Sequence, residues 1–226
     1  MKILKILRNK FNLTGTQLSK LINIDEDTIT KYENNAYNPS LKKLISFSNF
    51  FGYSLDFLIN EGNTNYPKNI KMLKFAQTID DININQRYQI ESTASSLLNK
   101  YNITQTNFKF DNIDIDLSNN FHENLKKIRI KKELTQEELG KEFNISSRMI
   151  SGYEKNMTPP FDKLNYLGKK LDVSVHCLVI GEKLKYDFDD KHFGETILKA
   201  DQFLPFEDQK VIIHLMEAIL QPQPAK

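Results

Sequence analysis

The chain says one thing twice. Residues 4–33 and 125–154 carry matched residues 121 positions apart, without a gap: Leu4/Leu125, Arg8/Arg129, Leu13/Leu134, Thr14/Thr135, Leu18/Leu139, Ile24/Ile145, Ile29/Ile150, Tyr32/Tyr153 and Glu33/Glu154. A long internal repeat constrains architecture more than local propensity does, because each copy must bury the same face in the same way. The 226 residues are therefore read as two small domains rather than one large one. The copies slip by one residue between Glu33 and Pro39, six apart, and Glu154 and Pro159, five apart. A slip of that kind belongs in a loop, where insertions are best tolerated.

Each copy reads as five short helices. Leu4, Leu7 and Phe11 have helical spacing. Thr14 with Gln17, and Thr135 with Glu138, have the spacing of a capping box and predict the start of a second helix. Asp25 and Ser146 are good N-caps for a third. Pro39 and Pro159 precede a fourth, marked by Leu41, Leu44, Phe47 and Phe51 in one copy and Leu164, Leu167 and Leu171 in the other. A fifth closes each unit at Leu55–Leu58 and Val175–Leu178.

More helix follows each unit. Ile70, Leu73, Ile79, Ile82, Ile90, Ala94 and Leu97 predict a two-helix arm after the first copy. Ile197, Leu198, Phe203, Leu204, Ile212, Leu215, Met216 and Ile219 predict another after the second. Between the halves, 107–117 alternates as a strand does, and reads as an extended linker packed on one domain or as one strand of a pairing. The expected layout is a first domain at 1–62, an arm at 63–102, a linker at 103–120, a second domain at 121–182, and an arm and disordered tail at 183–226.

Composition narrows the function. The single Cys177 permits no internal disulfide and no all-Cys metal cage, fits a reducing compartment, and sits in an apolar stretch where it reads as a core residue. The four histidines lack metal-ligand spacing, and Asp189, Asp190 and His192 read as a solvated loop. No apolar run approaches the roughly 18 residues of a membrane span. No HExxH, P-loop or dinucleotide-binding fingerprint is present. The expectation is a cytoplasmic non-enzyme with no metal and no cofactor. A net charge of +2 says little about nucleic acid, but Lys126, Lys127, Arg129, Lys131 and Lys132 concentrate positive charge on the helix that opens the second copy.

The motifs resemble the helix-turn-helix domains of the Cro/C1-type (XRE) repressors of phages and bacteria. The second copy carries the resemblance at Leu134-Thr135-Gln136-Glu137-Glu138-Leu139-Gly140, Ile145-Ser146, Ile150-Ser151-Gly152-Tyr153-Glu154, Pro159 and Leu171-Asp172-Val173-Ser174. The first carries it at Leu13-Thr14, Leu18, Ile29-Thr30-Lys31-Tyr32-Glu33, Pro39-Ser40 and Phe51–Asp56. It covers about 60 residues in each half. It implies an all-α fold of two tandem lambda-repressor-like five-helix domains, each followed by a helical arm and joined by the extended linker. In that family the third helix enters the major groove and reads base edges with its N-terminal residues. The second helix sets its N-terminus against a phosphate.

Carried onto this chain, the resemblance assigns Gln136 to backbone phosphate and Ser146, Ser147 and Arg148 to the opening of the reading helix. Arg148 suits bidentate recognition of guanine. Gly152, one turn on, offers no side chain, so readout is expected early in the helix. Lys155, Asn156 and Thr158 follow as phosphate contacts. Arg8 with Glu33 and Arg129 with Glu154 read as structural ion pairs, and Tyr32 and Tyr153 as core.

The first copy departs where DNA would be read. Gly15 replaces Gln136, and Asp25, Glu26 and Asp27 replace Ser146, Ser147 and Arg148. Three carboxylates facing a duplex that carries one charge per roughly 1.7 Å would be repelled. They are also compatible with a structural role, as a cap and a favourable charge at a helix N-terminus. The expectation is a repressor, from a phage or mobile element, in which the second domain reads a palindromic double-stranded operator as a homodimer; a variant is an intramolecular pair in which both halves bind adjacent half-sites within one chain. The competing expectation is an interaction module that binds a protein partner through residues 1–62, at Asp25, Glu26 and Asp27, while the second domain autoregulates.

Overall fold

The turns repeat even where their residues do not. Left-handed backbone occurs at Asn12 and Glu133, Asn23 and Asn144, Gly52 and Asp172, and Glu61 and Gly181. The first two pairs are 121 positions apart and the last two 120, so the conformation follows the one-residue slip. A non-glycine residue gives up about 1–2 kcal/mol in that region. The surrounding packing holds the turn there, whatever residue stands in it.

The computed structural model describes residues 1–77, 82–104, 108–185, 188 and 190–220, and every regular element among them is a helix. Ile79, Asn107, Asp189 and the tail 221–226 lie outside the described residues. No described helix is long and apolar enough to cross a membrane. The first repeat contains α1 (Lys2–Lys10), α2 (Gly15–Ile22), α3 (Glu26–Glu33), α4 (Leu41–Phe51) and α5 (Leu55–Ile59). Its arm is α6 (Ile70–Gln77) and α7 (Ile84–Lys100). The second repeat contains α8 (Phe121–Lys131), α9 (Gln136–Lys141), α10 (Ser147–Tyr153), α11 (Phe161–Leu171) and α12 (Val175–Ile180), and its arm is α13 (Lys191–Phe203) and α14 (Phe206–Leu220).

Both capping boxes form as the spacing predicts. Thr14 Oγ1 accepts from Gln17 N at 3.1 Å, and Gln17 Oε1 accepts from Thr14 N at 2.8 Å. Thr135 and Glu138 repeat this at 3.1 and 2.7 Å. Two of the orphan donors of each helix start are thereby satisfied. The matched apolar residues are the core: Leu4, Leu18, Ile29 and Tyr32 in one copy and Leu125, Leu139, Ile150 and Tyr153 in the other are buried. One contact differs. Gly140 lies so close to the turn before α10 that a Cβ there would run into the Ile145 carbonyl oxygen. The first repeat has Ser19 at the equivalent place, and α2 there runs two residues longer than α9.

The described residues divide into two compact units. One consists of Met1–Tyr66 with Lys109–Tyr186, so both repeats and most of the linker belong together. Its joint is the N-terminus of α12. Ser174 N donates to Asp111 Oδ1 at 2.5 Å, Val175 N and His176 N donate to the two carboxylate oxygens of Asp56 at 2.9 Å each, and Cys177 N donates to Ser174 Oγ at 2.9 Å. Four donors that a helix start leaves without partners are thus all met, two by the first repeat and one by the linker. Asp111 also accepts from Leu184 N at 2.7 Å. The alternation of 107–117 therefore marks an extended segment packed on the second repeat, with no strand among its described residues. Cys177 is buried, and burial pushes its thiol pKa up, as a core residue requires.

The other unit is Pro67–Phe108 with Asp187–Lys226. The two arms form it together: α13 packs on α6 and α7, and α14 on α7. Met72, Phe75, Ile90, Phe193, Ile197 and Ile212 are among its core. Asp201, fully buried, accepts from Lys68 N at 2.7 Å and Asn69 N at 3.0 Å, just before α6.

Candidate nucleic-acid interface

The second repeat holds α9 and α10 against α8 through one charged node. Arg129 donates from Nε and an Nη to Glu154 at 2.5 and 3.1 Å, and from its other Nη to the Leu134 carbonyl at 2.7 Å. Arg8 does the same with Glu33, at 2.7 and 2.9 Å, and with the Leu13 carbonyl at 3.0 Å. The glutamates are nearly inaccessible, with side chains 4 and 7 % exposed. Removing either partner would strand a buried charge at a cost of about 3–5 kcal/mol. The sequence reading of both pairs as structural fits this geometry, and Tyr32 and Tyr153 are buried beside them.

The assigned DNA contacts of the second repeat lie along α9, α10 and the turn that follows. Gln136, the first residue of α9, donates from Nε2 to Glu154 Oε2 at 2.8 Å. It is thus tied to the charged node that braces the two helices. Ser146 caps α10, its Oγ accepting from Met149 N at 3.3 Å. Ser147 and Arg148 are exposed in the first turn, and the Arg148 side chain makes no hydrogen bond or ion pair with a described residue. Lys155, Asn156 and Thr158 are exposed immediately after the helix.

Two residues that the sequence reading missed sit among them. Gly152 lies four residues after Arg148 and so shares its face. A Cβ on Gly152 would collide with Met157 Sδ, so the Met157 side chain covers the glycine. Met149, three residues before Gly152, is 37 % exposed and Met157 is 42 % exposed. Beyond Arg148 the exposed surface of α10 continues as apolar side chains. Only the loop conformation after α10 could reveal this, because Met157 stands five residues from the glycine it covers.

In the first repeat the three carboxylates do not act alike. Asp25 caps α3, its Oδ2 accepting from Thr28 N at 3.1 Å. Glu26 folds back onto α2: its Oε2 accepts from Thr16 Oγ1 at 2.8 Å, and its Oε1 lies 2.7 Å from where a Gly15 Cβ would stand. A carboxylate therefore occupies the first turn of α2, the place the family offers to a phosphate, and the missing side chain of Gly15 makes room for it. Asp27 remains exposed, alongside Thr30 and Lys31. All three carboxylates are exposed, so the acidic face persists while Asp25 serves as the cap that its position predicts and Glu26 bonds α2.

Comparison with known proteins agrees with this geometry. A family described as Helix-turn-helix matches residues 4–58 and again residues 125–176. A Bacillus subtilis (strain 168) protein named "Uncharacterized HTH-type transcriptional regulator YqaE" is 30 % identical over 102 residues, which span 45 % of this chain and 87 % of that relative. No solved structure matches the chain.

Proposed function

The chain belongs to the helix-turn-helix family of transcriptional regulators, and from that premise we propose that it is a sequence-specific repressor, of a phage or mobile element, whose second repeat reads duplex DNA. The observation that carries this reading is Arg148, exposed in the first turn of α10 with its guanidinium paired to no described residue. A guanidinium presented there can pair both acceptors on a guanine edge, worth about 1–3 kcal/mol of discrimination. Gln136, Lys155, Asn156 and Thr158 hold the backbone on either side, and Ser146 and Ser147 set the start of the helix. Phosphate contacts of this kind set register without carrying sequence information.

The test begins with selection of a bound sequence from random duplexes. Arg148→Ala should weaken binding to the selected site by at least tenfold and relax preference at one base pair. Lys155→Ala should instead weaken all sequences alike and lower the salt slope by about one. Unchanged binding by Arg148→Ala would remove α10 from the readout. A reporter carrying the selected site upstream of its promoter then measures repression.

A further inference from the structure

One chain already contains a pair of reading units, joined through equivalent positions. Beyond the slip, α5 aligns with α12 at an offset of 120, so Ser54 matches Ser174, Leu55 matches Val175 and Asp56 matches His176. Asp56 binds the backbone at Val175 and His176, so the joint sets the start of one fifth helix against the start of the other. To one side, Asn60 and Asn165 exchange two amide hydrogen bonds, at 3.3 and 3.1 Å. These two are not equivalent positions: at the offset of 120, Asn60 corresponds to Ile180 and Asn165 to Ile45. The meeting of the two fifth-helix starts, Asp56 against its equivalent His176, is the pattern of a two-fold pair, in which one patch meets its own copy. Here the two patches belong to one chain.

The pair is symmetric in its joint and unequal in its readers. The second repeat offers Gln136 and Arg148. The first has its own Glu26 over α2 and an exposed Asp27, yet it keeps Lys31, Asn34 and Asn35 exposed at the positions of Gly152, Lys155 and Asn156. We propose that a single chain binds DNA as a complete pseudo-dimer on an asymmetric site, reading one half with α10 and holding the neighbouring half by its phosphates through the first repeat. This inference rests on the reading of α10 given above. It replaces the palindrome that two identical chains would need.

The experiment is selection and footprinting with the full chain, with the mass of the complex measured by sedimentation. One chain per duplex is expected, with protection over two half-sites about 10 base pairs apart and sequence preference confined to one of them. A triple variant, Asp25→Ser, Glu26→Ser and Asp27→Arg, gives the first repeat the opening residues of the second and keeps an N-cap. Shown by circular dichroism to fold, it should select an inverted repeat and gain about tenfold affinity for it. Two chains on a symmetric site, or a folded triple variant that selects the unaltered site, would overturn the inference while leaving α10 as a reader. Absence of any sequence-specific binding would overturn the underlying reading instead.

Discussion

A single side chain decides how far the exposed face of α10 extends beyond Arg148. Met157 lies across Gly152 and, with Met149, continues the surface that begins at Arg148. An apolar group at such a place can meet the 5-methyl of thymine, and burying one methyl is worth about 0.8 kcal/mol. Replacing the contacted thymine of the selected site by deoxyuridine should therefore cost the wild type about fourfold in affinity. The same replacement should leave Met157→Ala unaffected; an equal loss in both proteins would exclude the contact. Arg148 was legible from its position in the motif. Met157 was not, because its place depends on the path of the loop. Glu26 is a similar case: its bond to Thr16 depends on how α3 meets α2, whereas Asp25 was legible as an N-cap.

At the scale of elements, the two helix-turn-helix units were legible because their signals are local. Capping boxes, N-caps and apolar spacing act over three or four residues, and they act twice in this chain. What differed was the approach of α9 to the turn, which Gly140 permits. Gly140→Ala should force the Ile145 carbonyl away and cost about 2 kcal/mol or more, a strain comparable to overpacking a core. Ser19→Ala, at the equivalent position of the first repeat, should change stability by less than about 0.5 kcal/mol. Urea denaturation of both variants checks this, and equal effects would mean that the two turns are alike.

At the scale of the whole molecule, buried carboxylates hold distant segments together. Burial pushes Asp56 up to about 6 despite its two backbone donors, and raises Asp111 in the same direction. Asp201 in the unit formed by the arms is also pushed up to about 6 by burial. A carboxyl raised in the folded state contributes stability below its unfolded pKa, and that contribution is lost as pH rises through the folded value. Between pH 4 and pH 6.5 the wild type should thus lose on the order of 2 kcal/mol relative to Asp56→Asn, which cannot titrate there. Thermal denaturation across that range measures the difference, and parallel pH profiles for the two proteins would rule out Asp56 as the source. The sequence by itself determined two helical repeats and the contrast in residue type between Arg148 and Asp27, since these follow from residue type at fixed spacing, while the pairs Arg8/Glu33 and Arg129/Glu154, 25 residues apart, followed from the family resemblance. Only the tertiary structure decided that Asp56 and Asp111 cap α12, that the arms pack on each other, and that Glu26 covers α2. The first two join residues far apart in the chain, where a carboxylate's partner depends on which orphan donors the fold brings to it, and Glu26 depends on how α3 meets α2.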